Sequence, residues 1–576
     1  MIATYDIETL NMSVPIAVGF FDGKKYFNYL KTNEEADPVW EFLSHLKEDY
    51  QGHKVYAHNA VNFDNRFILD SLVKHSERVS FPAGTARIYW PSADVTFEDS
   101  YLMLGVGLRK ACKAFNLDEK RNWDHEKTVN IWEMGELQEF LAYLERDCRA
   151  LSEVIEHYCK ELLDKLNVTP SMTLALTAVK AFDKNYFKVK DISPNEHVEP
   201  FIRAATFGGR NEVFRRWGYG VYLYDIRSMY VSCYDVDVPI GKLLWTKPNI
   251  DRPSLAYAEV KIPPMHIGPL PYRYSLNGYR PRLIFPVGEF EGWWDTRELR
   301  FAASLGADIH IKRQLEGDEA PILKEFGEKL WELKDTANSD LSRVWKLIGV
   351  RLCGKLGQHR ARTEISHITD IDDLEGWYPI DDTETYHERV VESKGSRSPY
   401  IKPAINMRVR SEARVRHNKM LYKADGKGNL FYCDNDSVYT DKAISVGKGM
   451  GELRLIGHAS EAWFIRCKFY GYLDDRGELK KKTAGFHEFK LYPSDFRNLA
   501  SGNLTEIKNR FNSLTPWKNA LTGKGVEMKE LRRTISNERE FENRILYGCE
   551  TEPIRLEKVN GVVRHINPKT YSLPIL

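Results

Sequence analysis

Short hydrophobic runs separated by turn residues fill the beginning of the chain. Three such runs within residues 1–30 predict three consecutive strands. Because strand side chains alternate between the two faces of a sheet, Asp6 and Glu8 fall on the same face of the first strand. A strand-like run at 54–59 and a helical spacing at 67–73 follow, which predicts a mixed α/β fold around a central sheet.

Helical spacing of apolar residues returns further along the chain. It predicts helices over 133–163, 172–187, 321–352 and 405–422, and strand patterns lie at 219–224 and 430–434. Prolines are frequent between residues 238 and 320, which indicates loops and edge strands rather than a helical core. A polar, acidic stretch at 358–398 is predicted to be an insert between two helical regions.

Length and composition limit the possible classes of protein. A chain of 576 residues is longer than a single hydrophobic core can support, so about three to five folding units are expected. The first residues lack the features of a secretory signal and no apolar run approaches about 18 residues, so we expect a cytoplasmic protein outside the membrane. Eight scattered cysteines without a C-x-x-C pair predict neither a zinc site nor disulfides.

The net charge of +1 does not by itself indicate a nucleic-acid binder. Basic residues do gather at 408–416, 480–482 and 529–533, and acidic residues gather at 370–375 and 381–382. Taken alone, each run is interpreted as a solvated charged surface.

Two acidic tracts in the second half of the chain point to metal chemistry. Asp225 ends a predicted strand, and Asp434 and Asp436 stand one residue apart at the tip of a predicted hairpin. An isolated Asp-x-Asp pair is more often a turn than a metal site. Magnesium is usually held by one or two carboxylates plus substrate phosphates, and two such ions can drive phosphoryl transfer. The three acids together therefore predict a phosphoryl-transfer site.

Lys334 and Lys346 lie on one predicted helical run between these acidic tracts. At about 100° per residue, the two lysines are about 120° apart on an ideal helix. Both side chains would therefore reach one triphosphate only if the helix bends.

A second set of acids lies near the beginning of the chain. It comprises Asp6, Glu8, Asp64 and Asp147, with Tyr143 close to the last of them. Tyr143 and Asp147 are four residues apart, so they share one face of a helix.

Three tracts resemble motifs A, B and C of family B DNA polymerases, namely residues 224–230, 346–355 and 432–437. The resemblance covers the whole chain and is closest to the compact protein-primed group of the phage phi-twenty-nine type. It implies that Asp225 and Asp436 bind metal ions with Asp434 as their partner. The other implied roles are ribose exclusion by Tyr230, triphosphate binding by Lys334, Lys346 and Arg351, primer contact by Lys468 and Tyr470, and template contact by Gly208 and Gly209.

The chain departs from the family pattern at four positions, which marks it as a diverged member. These positions are Thr206, Val231, Val350 and Cys353.

The acids near the beginning resemble the three motifs of DEDD-type proofreading nucleases, which have a ribonuclease-H-like fold. The resemblance implies a 3′→5′ exonuclease in which Asp6, Glu8, Asp64 and Asp147 hold two metal ions. It also implies that Tyr143 orients the attacking water. The residues expected to contact the frayed strand are Asn59, Phe63 and Ser100.

The predicted fold class is α/β and α+β multidomain, with an exonuclease domain at 1–165 and a right-hand polymerase domain at 166–576. The expected parts of the polymerase domain are a palm at 190–237 and 425–480, fingers at 330–358 and 399–422, and a thumb at 485–576. By resemblance, an insert at 240–325 contacts a terminal protein, and the insert at 358–398 supports strand displacement and processivity.

The predicted function is a DNA-directed DNA polymerase with a proofreading exonuclease, for a linear viral or plasmid genome in the host cytoplasm. Its expected cofactor is Mg²⁺, two ions per active site, with Mn²⁺ as a substitute. Its expected partners are a DNA template and primer, dNTPs and a terminal protein, and the protein is expected to be a monomer. Two alternatives stay open: a polymerase that starts on a nucleic-acid primer or de novo, and a catalytically silent DNA-binding relative.

Overall fold

The computed structural model describes most of the chain. The described residues are 2–81, 86–118, 123, 136–188, 195–275, 281–358, 361–380, 385–392, 400–425, 428–486, 489–503, 506–536 and 543–565. They form two compact units, each assembled from three segments. The first unit comprises Met1–Asn185, Glu332–Tyr400 and Asn512–Leu531, and the second comprises Tyr186–Trp331, Ile401–Phe511 and Arg532–Leu576. Among the helices in these ranges, none is long and apolar enough to cross a membrane.

A six-stranded mixed sheet forms the centre of the first unit. In spatial order its strands are Tyr26–Leu30, Val14–Phe21, Ala3–Leu10, Lys54–Ala57, Val95–Asp99 and Arg87–Trp90. Strand Ala3–Leu10 is antiparallel to Val14–Phe21 and parallel to Lys54–Ala57. The three strands predicted within residues 1–30 and the mixed α/β character of this region are therefore confirmed.

The alternation of side chains along Ala3–Leu10 separates a hydrophobic core from the acidic residues. Tyr5 and Ile7 are buried in the core on one face of the sheet. The helix Leu137–Leu166 packs against this strand, and the Thr4 hydroxyl donates to the Cys148 carbonyl of that helix at 2.7 Å. Asp6 and Glu8 have the same parity as Thr4, so the register that buries the core turns both acids toward the helix.

Other helices and one small sheet complete the first unit. The helices are Pro38–Asp49, Asp64–Lys74, Ser100–Leu104, Leu108–Ala114, Leu174–Asn185, Ser339–Leu356 and Trp517–Leu521, and the sheet contains Ala361–His367, Tyr386–Glu392 and Tyr378–Pro379.

The predicted helical run over 321–352 is two helices rather than one. The first is Lys324–Thr336, and the second, Ser339–Leu356, begins after Asn338. The Asn338 side chain accepts a hydrogen bond from the Leu341 N–H at 2.9 Å, and such an N-cap residue has extended backbone angles that interrupt a helix. The predicted angle between Lys334 and Lys346 on a single helix is therefore wrong.

The first unit extends beyond the predicted exonuclease domain at 1–165. Helix Leu137–Leu166 ends after this boundary, and the next helix, Leu174–Asn185, packs against Ser339–Leu356 within the same unit. Residues 332–400 and 512–531, predicted to be parts of the polymerase domain, belong to the same compact unit as residues 1–185, and the predicted domains at 1–165 and 166–576 stay predictions. The boundaries of palm, fingers, inserts and thumb stay predictions. Residues 359–360, 381–384 and 393–398 of the predicted insert lie outside the described residues.

A seven-stranded antiparallel sheet forms the centre of the second unit. In spatial order its strands are Leu479–Thr483, Phe469–Asp474, Leu453–Arg466, Trp217–Ile226, Ser437–Thr440, Leu430–Asp434 and Asn211–Val213. Helices Pro403–Ala424 and Pro493–Ser501 pack against it. The strands predicted at 219–224 and 430–434 and the helix predicted at 405–422 are confirmed.

The proline-rich region forms most of a second sheet, which differs from the expected loops and edge strands. The strands of this sheet are Leu244–Thr246, Asp308–Glu316, Leu255–Ile262, Val287–Asp295, Arg555–Val559 and Val562–His565. Pro263 and Pro264 follow one central strand directly, and Pro286 precedes another. The prolines therefore end the strands without interrupting them, since a proline inside a central strand would remove a hydrogen bond of the sheet.

The remaining described elements are short. They are the strand pairs Val238–Pro239 with Glu319–Ala320, Tyr272–Tyr274 with Arg282–Ile284, Glu506–Leu514 with Met528–Ser536, and Arg544–Tyr547 with Glu550–Pro553, and the helices Glu199–Ala204, Met229–Ser232 and Thr296–Ser304.

The basic run at 408–416 is partly buried, so its interpretation as a solvated surface is wrong. Arg408 and Arg414, on helix Pro403–Ala424, are 0% and 2% exposed. Arg408 pairs with Asp295 and Glu319, and Arg414 pairs with Glu298 at 2.7 Å. A buried guanidinium group requires such partners, and they lie about a hundred residues away in the sequence, where no local pattern reveals them.

Candidate active sites

Three acids meet at one end of the seven-stranded sheet of the second unit. Asp225 lies near the end of Trp217–Ile226, and Asp434 ends Leu430–Asp434. Strand Ser437–Thr440 lies between these two strands, and its Ser437 is opposite both Asp225 and Asp434. The Ile226 N–H donates to the Asp436 carbonyl at 2.7 Å, which holds the turn against the neighbouring strand. The structure thus places the three acids of the predicted polymerase site at one end of three neighbouring strands and their turn.

Basic side chains contact two of these acids. Asp434 lies 2.8 Å from Lys482 Nζ and 3.2 Å from Lys468 Nζ, and its Oδ1 also accepts from the Asn211 amide at 2.9 Å. Burial acts to lower the pKa of Lys482, but the hydrogen bond to Asp434 and the nearby charges leave that pKa above its ordinary value. The Asp434 carboxylate is therefore held in place by donors on both of its oxygens.

Asp225 is held by a different cation. The Arg454 guanidinium donates to Asp225 Oδ2 through Nε at 2.9 Å and Nη2 at 2.6 Å. Arg454 is opposite Asp225 in the neighbouring strand Leu453–Arg466, so the register of the sheet creates this pair.

The loop that contains Gly208 and Gly209 packs closely against the turn that carries Asp434 and Asp436. Asn435 has a left-handed φ of +54°, and its N–H donates to the Arg210 carbonyl at 2.7 Å. A Cβ atom at Gly209 would lie 2.0 Å from Asn435 Oδ1, so only glycine fits here without a shift. The Gly208 carbonyl accepts from Arg414 Nη1 at 3.2 Å. Both glycines thus lie beside the hairpin of the acids.

A buried histidine supports the same hairpin from helix Pro403–Ala424. His417 Nε2 lies 3.0 Å from the Ser437 carbonyl. Burial lowers the pKa of His417 to about 4, so at neutral pH the ring is uncharged and donates this hydrogen bond.

The predicted primer contacts lie beside the acids. The Lys468 N–H donates to the Tyr432 hydroxyl at 2.9 Å, which positions Lys468 next to Asp434. Tyr470 is buried, its hydroxyl lies 3.0 Å from that of Tyr439, and burial raises its pKa. Tyr230, predicted to exclude the ribose, is half-buried on the short helix Met229–Ser232.

The predicted triphosphate ligands lie on two helices. Lys334 belongs to Lys324–Thr336, and Lys346 and Arg351 belong to Ser339–Leu356 in the first unit. Arg351 is exposed and Lys346 is half-buried, whereas Cys353 on the same helix is buried.

The acids of the predicted exonuclease site meet in the first unit. The Tyr143 hydroxyl donates to Glu8 Oε1 at 2.8 Å, and the Ile7 N–H donates to Asp64 Oδ1 at 3.0 Å. Burial, and then the charges of Glu8, Asp6 and Asp147, raise the pKa of Tyr143 far above its ordinary value. Tyr143 therefore interacts with Glu8, Asp6 and Asp147, and Asp64 interacts with Asp6.

Negatively charged side chains are crowded together in the acidic site of the first unit. Asp64 is 2% exposed, and burial followed by the charge of Asp6 raises its pKa well above the ordinary value. A bound divalent cation would relieve both effects, because it supplies positive charge to carboxylates removed from water. The all-oxygen donor set matches magnesium or manganese. Within the described ranges, no three His, Cys, Asp or Glu side chains are placed so that they could together hold a metal ion.

The residues predicted to hold a frayed strand lie around one loop. Asn59 has a left-handed φ of +66° and accepts from the Asn62 amide at 2.7 Å, and Phe63 precedes helix Asp64–Lys74. Ser100 is fully buried, and its hydroxyl donates to the Ala57 carbonyl at 3.0 Å. Any contact between Ser100 and DNA would therefore involve its backbone rather than its hydroxyl.

Sequence reasoning missed several residues that support the site of the second unit. They are Asn211, His417, Arg454 and Lys482. In the first unit, Asp99 lies in the tract 97–102 expected to hold a frayed strand, but its contacts with the loop at 59–61 were not predicted. Lys482 was recognised only as part of the basic run at 480–482. In strand Leu479–Thr483, Lys482 is opposite Tyr470, so the two side chains lie on the same face of the sheet. The alternation of side chains along this strand is the signal that could have identified Lys482.

A family model matches more than half of the chain. It is the model for DNA polymerase type B, organellar and viral, and it matches residues 46–134 and 118–408. A probable DNA polymerase of Ascobolus immersus is 24% identical over 88% of this chain and 48% of its own length. A DNA-directed DNA polymerase of Enterobacteria phage PRD1 is 27% identical over 40% of this chain and 38% of its own length. The chain spans about half the length of the curated relatives it matches.

The fold is similar to that of a solved polymerase. Phi29 DNA polymerase, in a complex with primer-template DNA and incoming nucleotide substrates, superposes with a TM-score of 0.69. The match covers 93% of this chain and 99% of that chain at 16% sequence identity, so it shows the fold and not the activity. The predicted fold class and the predicted family are confirmed. With a family model matched over most of its first 408 residues, this chain belongs to the organellar and viral type B DNA polymerases.

Proposed function

We propose that the protein adds deoxynucleotides to a 3′-hydroxyl on a DNA template and removes mismatched ends with a 3′→5′ exonuclease. The observation that carries the polymerase proposal is the meeting of Asp225, Asp434 and Asp436 at one end of adjacent antiparallel strands. Family membership supports the same reaction.

Each acid of the second unit has a defined task in this proposal. Asp225 and Asp436 would hold two Mg²⁺ ions, which when bound neutralise the triphosphate and promote ionisation of the primer 3′-hydroxyl. Asp434 orients Lys468 and Lys482, which it contacts directly. The acids and lysines thus fix the position of the reacting groups and contribute no covalent step.

Other side chains would bind the substrates. Lys468 and the buried Tyr470 would steady the primer terminus, and Tyr230 would exclude a ribose 2′-hydroxyl. The remaining proposed contacts are Lys334, Lys346 and Arg351 to the triphosphate, and Gly208 and Gly209 to template phosphates.

The exonuclease proposal rests on the acids of the first unit. Asp6, Glu8, Asp64 and Asp147 would hold two Mg²⁺ or Mn²⁺ ions. The Tyr143 hydroxyl, which donates to Glu8 at 2.8 Å, would orient the attacking water between this acid and the scissile phosphate.

Reciprocal variants test both proposals, with each variant serving as the control for the other. Asp436→Ala should abolish primer extension and leave degradation of single-stranded DNA intact, because Asp436 belongs to the second unit. Asp6→Ala should do the reverse. Extension by Asp436→Ala, or degradation by Asp6→Ala, at the wild-type rate would contradict the corresponding site. If the wild-type protein shows neither primer extension nor DNA degradation, a catalytically silent DNA-binding relative is favoured.

The mode of initiation is a separate proposal. We propose that synthesis starts on a hydroxyl of a terminal protein, with residues 240–325 in contact with that protein and 358–398 supporting strand displacement. The chain's similarity to the phi-twenty-nine type supports this mode. Incubation with labelled dNTP, template and candidate partner proteins should yield a covalent protein–dNMP adduct. Extension of DNA primers with no adduct would favour a polymerase primed by nucleic acid.

A further inference from the structure

The loop that joins strand Lys54–Ala57 to helix Asp64–Lys74 carries Asn59, Phe63 and Asp64, the last at the first position of the helix. The residue at the N-cap position, Phe63, has no side-chain hydrogen bond to the helix. The beginning of this helix therefore depends on contacts made by the loop backbone.

The Asp99 carboxylate supplies these contacts from the end of the neighbouring strand. Its Oδ1 accepts from the Asn59 N–H at 2.9 Å and the Tyr101 N–H at 2.8 Å, and its Oδ2 accepts from the Val61 N–H at 3.1 Å. Asp99 pairs with Ala57 in the parallel register of Val95–Asp99, so the sheet places it beside the start of the loop. Asp99 is itself buried, at 2% exposure.

The loop begins with a tight turn. Asn59 has a left-handed φ of +66°, a conformation that asparagine adopts more readily than most residues with a side chain. From this turn the backbone continues through hydrogen bonds of Phe63 and Asn65 to the Ala60 carbonyl, at 3.1 and 2.9 Å, into the helix of Asp64. The position of the Asp64 carboxylate thus follows from the position of residues 59–61.

We propose that Asp99 is a positioning residue of the exonuclease site, fixing the 59–61 backbone and through it Asp64. This inference rests on the proposed exonuclease function. In this proposal Asp99 acts through the loop backbone rather than by touching DNA or a metal ion, because it is buried and its oxygens accept three backbone N–H groups.

The test compares Asp99→Ala and Asp99→Asn with the matched control Asp37→Ala. Asp37 also accepts two backbone N–H groups, from Val39 and Trp40 at 3.0 Å, and caps helix Pro38–Asp49 in the same unit. The measurements are kcat and KM for degradation of single-stranded DNA, the rate of primer extension, and hydrogen exchange at the amides of Asn59 and Val61.

Asp99→Ala should lower the exonuclease kcat about 10-fold to 100-fold with little change in KM, as for other residues that orient a ligand of a metal site. Both amides should exchange faster, while primer extension stays within about twofold of wild type. Asp99→Asn keeps one oxygen, so the Asn59 amide should stay protected from hydrogen exchange while the Val61 amide loses its protection. The exonuclease kcat of this variant should lie between those of the wild type and Asp99→Ala. Asp37→Ala should keep the wild-type exonuclease kcat.

Two results would overturn the proposal: an unchanged kcat in Asp99→Ala despite fast exchange at Asn59 and Val61, or an equal loss of kcat in Asp37→Ala. If Asp99→Ala does not fold, Asp99→Asn decides by the same criteria. If the wild-type protein does not degrade DNA, the exonuclease proposal itself fails. In that case hydrogen exchange alone decides whether Asp99 anchors the loop.

Discussion

The two acidic sites hold their carboxylates in different ways. In the first unit, Asp64 and Asp147 are buried and close to other acids, and the charge of Asp6 adds to burial in raising the pKa of Asp64. In the second unit, Arg454 contacts Asp225, and Lys468 and Lys482 contact Asp434. One site thus concentrates negative charge, whereas the other balances it with cations.

The difference has an energetic meaning. Buried like charges cost free energy until a cation binds, so removal of one acid from the first site relieves repulsion. Removal of Asp434 from the acidic site of the second unit would leave Lys468 and Lys482 without their acid, which costs a small amount of free energy because both lysines are nearly half-exposed. Loss of an acid should therefore affect stability with opposite signs in the two units.

The largest expected effect is that of Asp64→Asn. Exonuclease activity should fall by about 1,000-fold, because an essential carboxylate is lost. The free energy of unfolding of the first unit should nevertheless rise, since the amide can still accept from the Ile7 N–H while the buried charge is gone. Activity assays and urea denaturation at pH 7 measure the two effects.

The matched control is Asp70→Asn on the same helix, where the carboxylate pairs with Lys74 at 2.6 Å. This variant should keep the exonuclease activity. A loss of stability in Asp64→Asn, in place of the expected gain, would contradict the contrast between the two sites.

A second effect depends on pH and has opposite signs in the two units. The pKa of His417 is about 4 in the folded protein, below its ordinary value, so the unfolded chain takes up a proton first as the pH falls. Its contribution is fully present above about pH 6.5 and is lost toward pH 4, a change of about 3 kcal/mol in the second unit. The raised pKa of Asp64 acts the other way and favours the folded first unit as the pH falls.

Urea denaturation at pH 7 and pH 4.5, followed by hydrogen exchange in each sheet, measures these changes. His417→Gln can still donate to the Ser437 carbonyl but does not titrate, so it should flatten the pH dependence of the second unit. An unchanged pH dependence in this variant would show that His417 is not its source.

The smallest expected effect concerns the cations themselves. Lys482→Met should change the free energy of unfolding by less than about 1 kcal/mol, because the side chain is 46% exposed and water screens the pair. Primer extension should still fall about 10-fold, since Asp434 loses a donor on Oδ2. Lys480→Met on the same strand, whose partners are Asp474 and Glu478, should leave extension unchanged. Equal effects of the two variants would remove Lys482 from the site.

The sequence predicted the elements and acids whose signal is local. Alternation placed Asp6 and Glu8 on one face, and helical spacing placed Tyr143 beside Asp147, as the structure has them. Partners that are distant in the sequence left no such signal. Lys482 and Asp434 meet only because of sheet register, and Arg414 meets Glu298 only through tertiary packing. The helix break at Asn338 was missed because the apolar spacing continues across it.

The segmented first unit has a consequence for the order of folding. Tyr386, Ala520 and Leu521 belong to the same hydrophobic core as Phe67, and Arg66 donates to the Thr515 carbonyl at 2.8 Å. Since synthesis proceeds from the amino terminus, this core cannot be completed until residue 521 has left the ribosome. The long sequence separation of these contacts makes their closure slow. A fragment ending at residue 165 would lack Tyr386, Ala520 and Leu521 of its own core, so we expect it to be less stable than the same residues in the full chain.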